Sequence, residues 1–187
     1  RRPMQSLISF LLTVKKPKAV LEIGTAVGFS SMLMSEYVSD NTIIDTIEKV
    51  PIRIKCAKEN FARYEKTERI NLFEGDAADV LKELAAAGNK YDFIFMDAAK
   101  GQYLNFLEPV LEMLAEDGLL VTDNVLQDGD IIQSRYAITK RDRTIHGRMR
   151  EYLYFLTHSE RFKTVVLPVG DGAALSQVVP GSISNND

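Results

Sequence analysis

Short runs of consecutive apolar, often β-branched residues alternate along this chain with longer stretches whose apolar positions recur every three or four residues. The first pattern marks buried strands and the second amphipathic helices. "KAVLEIG" (18–24), "TIIDTIE" (42–48), "RINLFEG" (69–75), "YDFIFMD" (91–97) and "GLLVTDN" (118–124) read as five strands. Between them lie helical patterns: "FSSMLMSEYV" (29–38), a segment opened by Pro51, "DAADVLKELAAAG" (76–88) and "YLNFLEPVLEML" (103–114). Proline suits a first helical turn, and an Asp start with a Gly stop brackets a helix. "MREYLYFLTHS" (149–159) predicts a further helix, and "FKTVVLPVG" (162–170) and "GAALSQVV" (172–179) predict two strands. The short "PVGDG" turn between those two predicts antiparallel pairing.

Strand–helix alternation implies a parallel sheet covered on both faces, and right-handed crossovers reduce the topologies to the doubly wound family. The expectation is an α/β, Rossmann-like, mostly parallel sheet with an antiparallel C-terminal strand, in one domain over residues 1–187. The chain opens "RRPMQSL", inside an element and without an initiator Met, which suggests a missing N-terminal segment.

Composition narrows the classes. The formal charge of −3 argues against a generally polybasic protein, and a single cysteine, Cys56, excludes a disulfide framework. A reducing, cytoplasmic setting is expected. No apolar run reaches the roughly 18 residues of a membrane span, so no membrane partner is expected.

Doubly wound sheets bind ligands beyond the carboxyl ends of their strands. Those ends carry Glu22 and Gly24, Glu48, Gly75 and Asp76, Asp97, and Asp123 with Asn124. Gly24 and Gly28 flank a tight turn but lack the three-glycine spacing of a dinucleotide site, which disfavours NAD. Glu48 suits a ribose diol, and Asp76 lies where an adenine edge would be, or else caps the next helix. With Glu22 in place of a phosphate cradle, S-adenosylmethionine fits better than a dinucleotide. Asp97, Asp123 and Asn124 form a hard, all-oxygen set suited to Mg²⁺. Lys100, three residues after Asp97, is a candidate base for a metal-bound hydroxyl, or else a solvent-facing loop lysine. His146 and His158 lie in a helical region and read as surface residues.

"LEIGTAVGFSS", Ile47-Glu48, "FMDAAKGQY", "VTDNV" and "LPVGDGAALS" resemble the metal-dependent, class I O-methyltransferases of the catechol and caffeoyl-CoA type, in order over nearly the whole chain. The resemblance implies that Glu22, Gly24, Ser30, Glu48, Asp76 and Asp97 touch S-adenosylmethionine. It implies that Asp97, Asp123 and Asn124 hold Mg²⁺, that Lys100 and Asp97 act in catalysis, and that the protein is a homodimer. The family's N-terminal helices look largely absent. Within the family, "DAAKGQY" and the region after "TDNV" are most similar to bacterial enzymes that methylate 5-hydroxyuridine at the tRNA wobble position. Residues 135–163 hold eight basic side chains (Arg135, Lys140, Arg141, Arg143, Arg148, Arg150, Arg161, Lys163) against Asp142, Glu151 and Glu160. This local excess of five leaves −8 on the rest of the chain, and an acidic body with one basic segment suits a phosphate backbone. Tyr136 is a candidate for base stacking. The alternative acceptor is a small catechol-like or caffeoyl-CoA-like phenol. A non-catalytic nucleotide-binding module would not need Asp97, Asp123 and Asn124 to converge.

Overall fold

The structure, a computed structural model, describes residues 2–126 and 143–181. Seven strands form one sheet: β1 (Ala19–Ile23), β2 (Ile43–Glu48), β3 (Ile70–Glu74), β4 (Tyr91–Met96), β5 (Leu114–Thr122), β6 (Phe162–Leu167) and β7 (Ala173–Val178). Their order is β3-β2-β1-β4-β5-β7-β6. The pairings from β3 to β5 are parallel, and β7 is antiparallel to both β5 and β6. The expected doubly wound sheet with an antiparallel C-terminal strand is therefore present.

Strand periodicity divides the core. Leu21, Ile23, Ile94 and Met96 point to one face, with helices α4 (Ala77–Ala86), α5 (Tyr103–Met113) and α6 (Arg143–His158). Val20, Phe93 and Phe95 point to the other, which carries α1 (Arg2–Lys15), α2 (Phe29–Glu36) and α3 (Pro51–Arg63). Period-two alternation on strands buried from both sides produces this split. The chain order reverses between β1 and β4, which makes that crevice the expected ligand site.

Three details depart from the sequence reading. A helix, α1, opens the described chain, its Met4, Ile8 and Leu12 buried at helical spacing. Its end is fixed where Lys15 Nζ donates to the Asp117 carbonyl (2.6 Å) and carboxylate (2.7 Å). Strand β5 begins at Leu114 instead of residue 118, because α5 runs directly into it and Leu114 pairs with Tyr91 before a register shift. Helix α6 begins at Arg143 instead of residue 149, and His146 is a buried residue, 2 % exposed. It shares the inward face with Met149, Tyr152 and Leu156, one or two turns along. His158 is exposed, as read.

The β6–β7 hairpin also braces the site. Val125 N–H donates to the Gly172 carbonyl (3.0 Å) and Leu126 N–H to the Asp171 carbonyl (2.8 Å), which fixes the chain just after Asn124. Gly172 has φ +89°, and a Cβ there would lie 2.3 Å from the Leu126 side chain.

Candidate active site

The end of β1 meets the end of β4 at Gly24. Its φ is +110°, and a Cβ would fall 2.1 Å from the Asp97 carbonyl oxygen, so only glycine permits this approach. Beside it opens a cavity of ≈ 590 Å³ lined by Gly24, Glu48, Asp76, Asp97, Gln102 and Phe106, among others. A second cavity of ≈ 200 Å³ is lined by Met4 and Ile8 of α1, by Thr25 and Ser30, and by Asp97 and Asp123. Ala26 and Asp97 line both cavities, and Asp97 is the charged residue of the two.

Glu48 is buried at the end of β2. Its Oε1 accepts the N–H groups of Lys49 and Val50 (both 2.9 Å), and its Oε2 accepts that of Ala26 (3.0 Å). Backbone donors fix the carboxylate plane and leave further lone pairs for ligand hydroxyls. Asp76 caps α4 through the Ala78 N–H (3.0 Å) and receives Lys49 Nζ (2.9 Å). Those contacts, Lys49 first, hold its carboxyl below the usual range. Asp76 is thus a helix cap that also lines the large cavity.

Glu22 is wholly enclosed and does not line the large cavity. Its oxygens accept the hydroxyls of Ser30, Ser31 and Thr46, the last at 2.6 Å, and Thr46 is 2.6 Å from the Thr25 hydroxyl. Burial raises its pKa against these hydrogen bonds. Glu22 thus reaches the smaller cavity through Ser30, and it fastens α2 and β2 to β1.

Asp97, Asp123 and Asn124 converge as their strand ends require. Asn124 Nδ2–H donates to Asp97 Oδ1 (3.0 Å), and the Asn124 backbone N–H donates to Asp123 Oδ1 (2.7 Å). Asn124 adopts φ +60°, a left-handed conformation that asparagine tolerates. Tyr103 O–H supports the turn from behind by donating to the Asp123 carbonyl (3.1 Å). Burial pushes the Asp97 carboxyl up, opposed by Asn124 and the Lys100 charge. Burial and the Asp97 charge push Asp123 up to about 6, against its Asn124 N–H bond. Two partly desolvated carboxylates that repel each other, beside an amide, are a donor set that a hard dication would relieve. A half-turn of the Asn124 amide would present its oxygen in place of its N–H. Among the described residues no three His, Cys, Asp or Glu side chains cluster as a metal site.

This electrostatic arrangement has a measurable sign. The folded-state pKa of Asp123, about 6, lies above the ordinary 3.8. The folded state therefore binds the proton more tightly, and this contribution is full below pH 4 and lost as pH rises through about 6. In chelator-treated protein, the loss across that window is expected to be about 1–2 kcal/mol after allowance for solvent screening. Thermal denaturation of Asp123→Asn should show a flatter profile over the same window.

Lys100 begins a 3₁₀ turn, Lys100–Gln102, directly beside this pair, and it is partly buried. Arg148 of α6 holds the turn by donating to the Gly101 carbonyl (2.8 Å). Sequence reasoning did not single out Ser31, Thr46, Lys49, Gln102 or Tyr103 as site residues. Of these, Ser31 and Lys49 adjoin Ser30 and Glu48, which were named, and Gln102 lies two residues after Lys100, which was the available signal. Arg135, Tyr136, Lys140, Arg141, Asp142 and the Arg143 side chain lie outside the described residues. No helix among the described residues is long and apolar enough to cross a membrane.

Comparison with known proteins places this geometry. A family model described as O-methyltransferase matches residues 3–179. The chain is 30% identical to the catechol O-methyltransferase of Niastella koreensis over 67% of its own length and 57% of that enzyme's. It is 28% identical to O-methyltransferase ankF of Aspergillus thermomutatus, covering 94% of this chain and 77% of that one. Among solved structures, a candidate caffeoyl-CoA O-methyltransferase from Staphylococcus aureus superposes with a TM-score of 0.87 at 32% identity, covering 96% of this chain and 84% of that one. The Podospora anserina methyltransferase PaMTH1, solved with SAH bound, gives 0.82 at 28%, covering 94% and 78%. The sheet order, the strand-end site and the match over nearly the whole described chain lead to one conclusion: this chain belongs to the O-methyltransferase family, alongside enzymes of the catechol and caffeoyl-CoA type.

Proposed function

We propose that the chain binds S-adenosylmethionine across the ends of β1, β2 and β3 and, with Mg²⁺, methylates the hydroxyl of 5-hydroxyuridine at the wobble position of tRNA. The observation that carries the reaction type is Asp97, one carboxylate shared by a nucleoside-sized cavity and a smaller one that also contains Asp123. When bound, S-adenosylmethionine supplies the methyl group and Mg²⁺ lowers the pKa of the acceptor hydroxyl. Glu48 receives the ribose hydroxyls, Gly24 leaves room for the backbone to approach, and Asp76 borders the adenine. Glu22 holds Ser30 in place at the amino-acid end. Asp97, Asp123 and Asn124 hold the cation. Lys100 takes the acceptor proton, while Met4 and Ile8 of α1 wall the smaller cavity against water. Positioning and charge management supply most of the rate.

The basic stretch 135–163 on an otherwise acidic chain favours RNA as the acceptor. A small catechol-like or caffeoyl-CoA-like phenol is the second reading, favoured by the named activities of the catechol and caffeoyl-CoA relatives. Methyl transfer from labelled S-adenosylmethionine to tRNA carrying 5-hydroxyuridine, and to catechol, separates the two. The expected result is labelled tRNA, with a rate that falls steeply as salt rises and falls further on Arg141→Ala. Labelled catechol with unlabelled tRNA would replace this reading by the second. Lys100→Ala should lower kcat about 10²–10⁴-fold while leaving the affinity for S-adenosylhomocysteine unchanged in calorimetry.

A further inference from the structure

The 3₁₀ turn of Lys100 passes without a break into α5, whose first residue is Tyr103. Tyr103 is 1 % exposed, and its O–H donates to the Asp123 carbonyl at 3.1 Å. A single turn of chain therefore separates the candidate base from a side chain that grips the strand end carrying Asp123 and Asn124. Burial first, then the Asp97 charge, push the Tyr103 hydroxyl well above the ordinary tyrosine range, so it stays protonated and able to donate. The Ala98 backbone faces the same hydroxyl and partly offsets that shift. The oxygen thus lies between the end of β4 and the end of β5. A second tyrosine stands behind the first. Tyr152 of α6 is wholly enclosed, and its hydroxyl lies 2.6 Å from that of Thr122, the residue before Asp123. The two rings are 5.5 Å apart between centroids and tilted by 59°, a favourable arrangement for an aromatic pair.

Packing on this face of the sheet asks only for a ring, and Phe106 and Phe162 supply rings with no polar atom. A hydroxyl buried in that setting loses its hydration and gains one bond of modest net value. Its place between the segments that carry Asp97, Lys100 and Asp123 is what needs a reason. We infer that Tyr103 is a positioning residue that fixes the spacing between the Lys100 turn and the Asp123–Asn124 turn, and so sets the cation site and the reach of the base together. The inference rests on the cation and base roles proposed above and deepens them. Backbone bonds tie the Asp123–Asn124 turn to the sheet: the Asp123 N–H donates to the Met96 carbonyl (3.0 Å) and the Val125 N–H to the Gly172 carbonyl (3.0 Å). Tyr103 ties it to the segment that bears the base. Without the hydroxyl, the Asp123 carbonyl is free to rotate, and the repulsion between Asp97 and Asp123 acts on a looser turn. The Lys100 turn would then rest on the Arg148 bond to the Gly101 carbonyl (2.8 Å), made from an exposed side chain.

The test compares wild type with Tyr103→Phe and Tyr91→Phe. Tyr103→Phe keeps the ring and loses the hydroxyl. Tyr91→Phe makes the same change in another buried tyrosine, 2 % exposed, at the opposite end of β4, where the hydroxyl donates to Asp45 (2.7 Å). Mn²⁺ binding is read by electron paramagnetic resonance and S-adenosylhomocysteine binding by calorimetry. Methyl transfer to tRNA carrying 5-hydroxyuridine and to catechol is read as kcat at saturating cation. Tyr103→Phe should weaken Mn²⁺ binding about tenfold and lower kcat about tenfold, with the affinity for S-adenosylhomocysteine unchanged. Tyr91→Phe should lose comparable thermal stability yet match wild type in all three readings. If Tyr103→Phe matches wild type in Mn²⁺ binding or in kcat, or if Tyr91→Phe weakens Mn²⁺ as much, Tyr103 only supports the fold, and the inference fails while the proposed reaction stands. If wild type binds no Mn²⁺ or methylates neither acceptor, the proposed reaction falls and the inference falls with it.

Discussion

Asp97→Asn is expected to lower methyl transfer about 10²–10³-fold while leaving the protein at least as stable as wild type. The amide keeps the shape of the carboxylate. The backbone N–H of residue 97 still bonds the Ile23 carbonyl (3.0 Å), and a side-chain oxygen still accepts from Asn124. What is lost is one negative charge on the wall shared by both cavities, where a sulfonium and a dication would otherwise find it. The same loss removes a partly desolvated carboxylate and its repulsion of Asp123. A charge kept at a cost to stability is the usual mark of a functional site. A labelled-methyl assay beside a melting curve reads both halves, and an Asn variant that is active, or markedly less stable, would contradict the assignment.

Gly24→Ala should act in the opposite way, by breaking the frame. A φ of +110° is strained for any residue with a Cβ, and here the added carbon would lie 2.1 Å from the Asp97 carbonyl oxygen. Neither partner can yield, because both are backbone at adjacent parallel strand ends. Strain and overpacking together predict a loss of about 2–5 kcal/mol, and a fall in melting midpoint on the order of 10 °C. Binding of S-adenosylhomocysteine should be lost even where the variant folds. Gly88→Ala is the control: its φ is +78° but a Cβ would meet nothing within 4 Å, so only the strain remains, about 1 kcal/mol.

These residues differ in how far the sequence revealed them. Gly24, Asp97, Asp123 and Asn124 were legible because strand–helix alternation determines which strand ends face the crevice, and each lies at such an end. Asp97 and Asn124 could be paired in advance because β4 and β5 are neighbours in the expected topology. The setting of Glu22 was not legible. Its hydroxyl partners come from α2 and β2, and nothing local in "LEIG" shows that the carboxylate turns inward to meet them. His146 was misread because the start of α6 carries few apolar residues, so the inward stripe is clear only from Met149 onward. The early start of β5 was hidden by "AEDG", polar residues in a bulge that sequence periodicity treats as a loop.

The proposed function requires one strand-end site that joins S-adenosylmethionine and a divalent cation at Asp97. A crystal structure of the protein with S-adenosylhomocysteine and Mg²⁺ tests it most directly. The expected result is the ribose on Glu48, the adenine beside Asp76 and Ala77, and one ion bound by Asp97, Asp123 and the Asn124 amide oxygen. Ribose density away from Glu48, or an ion that does not touch both Asp97 and Asp123, would contradict it.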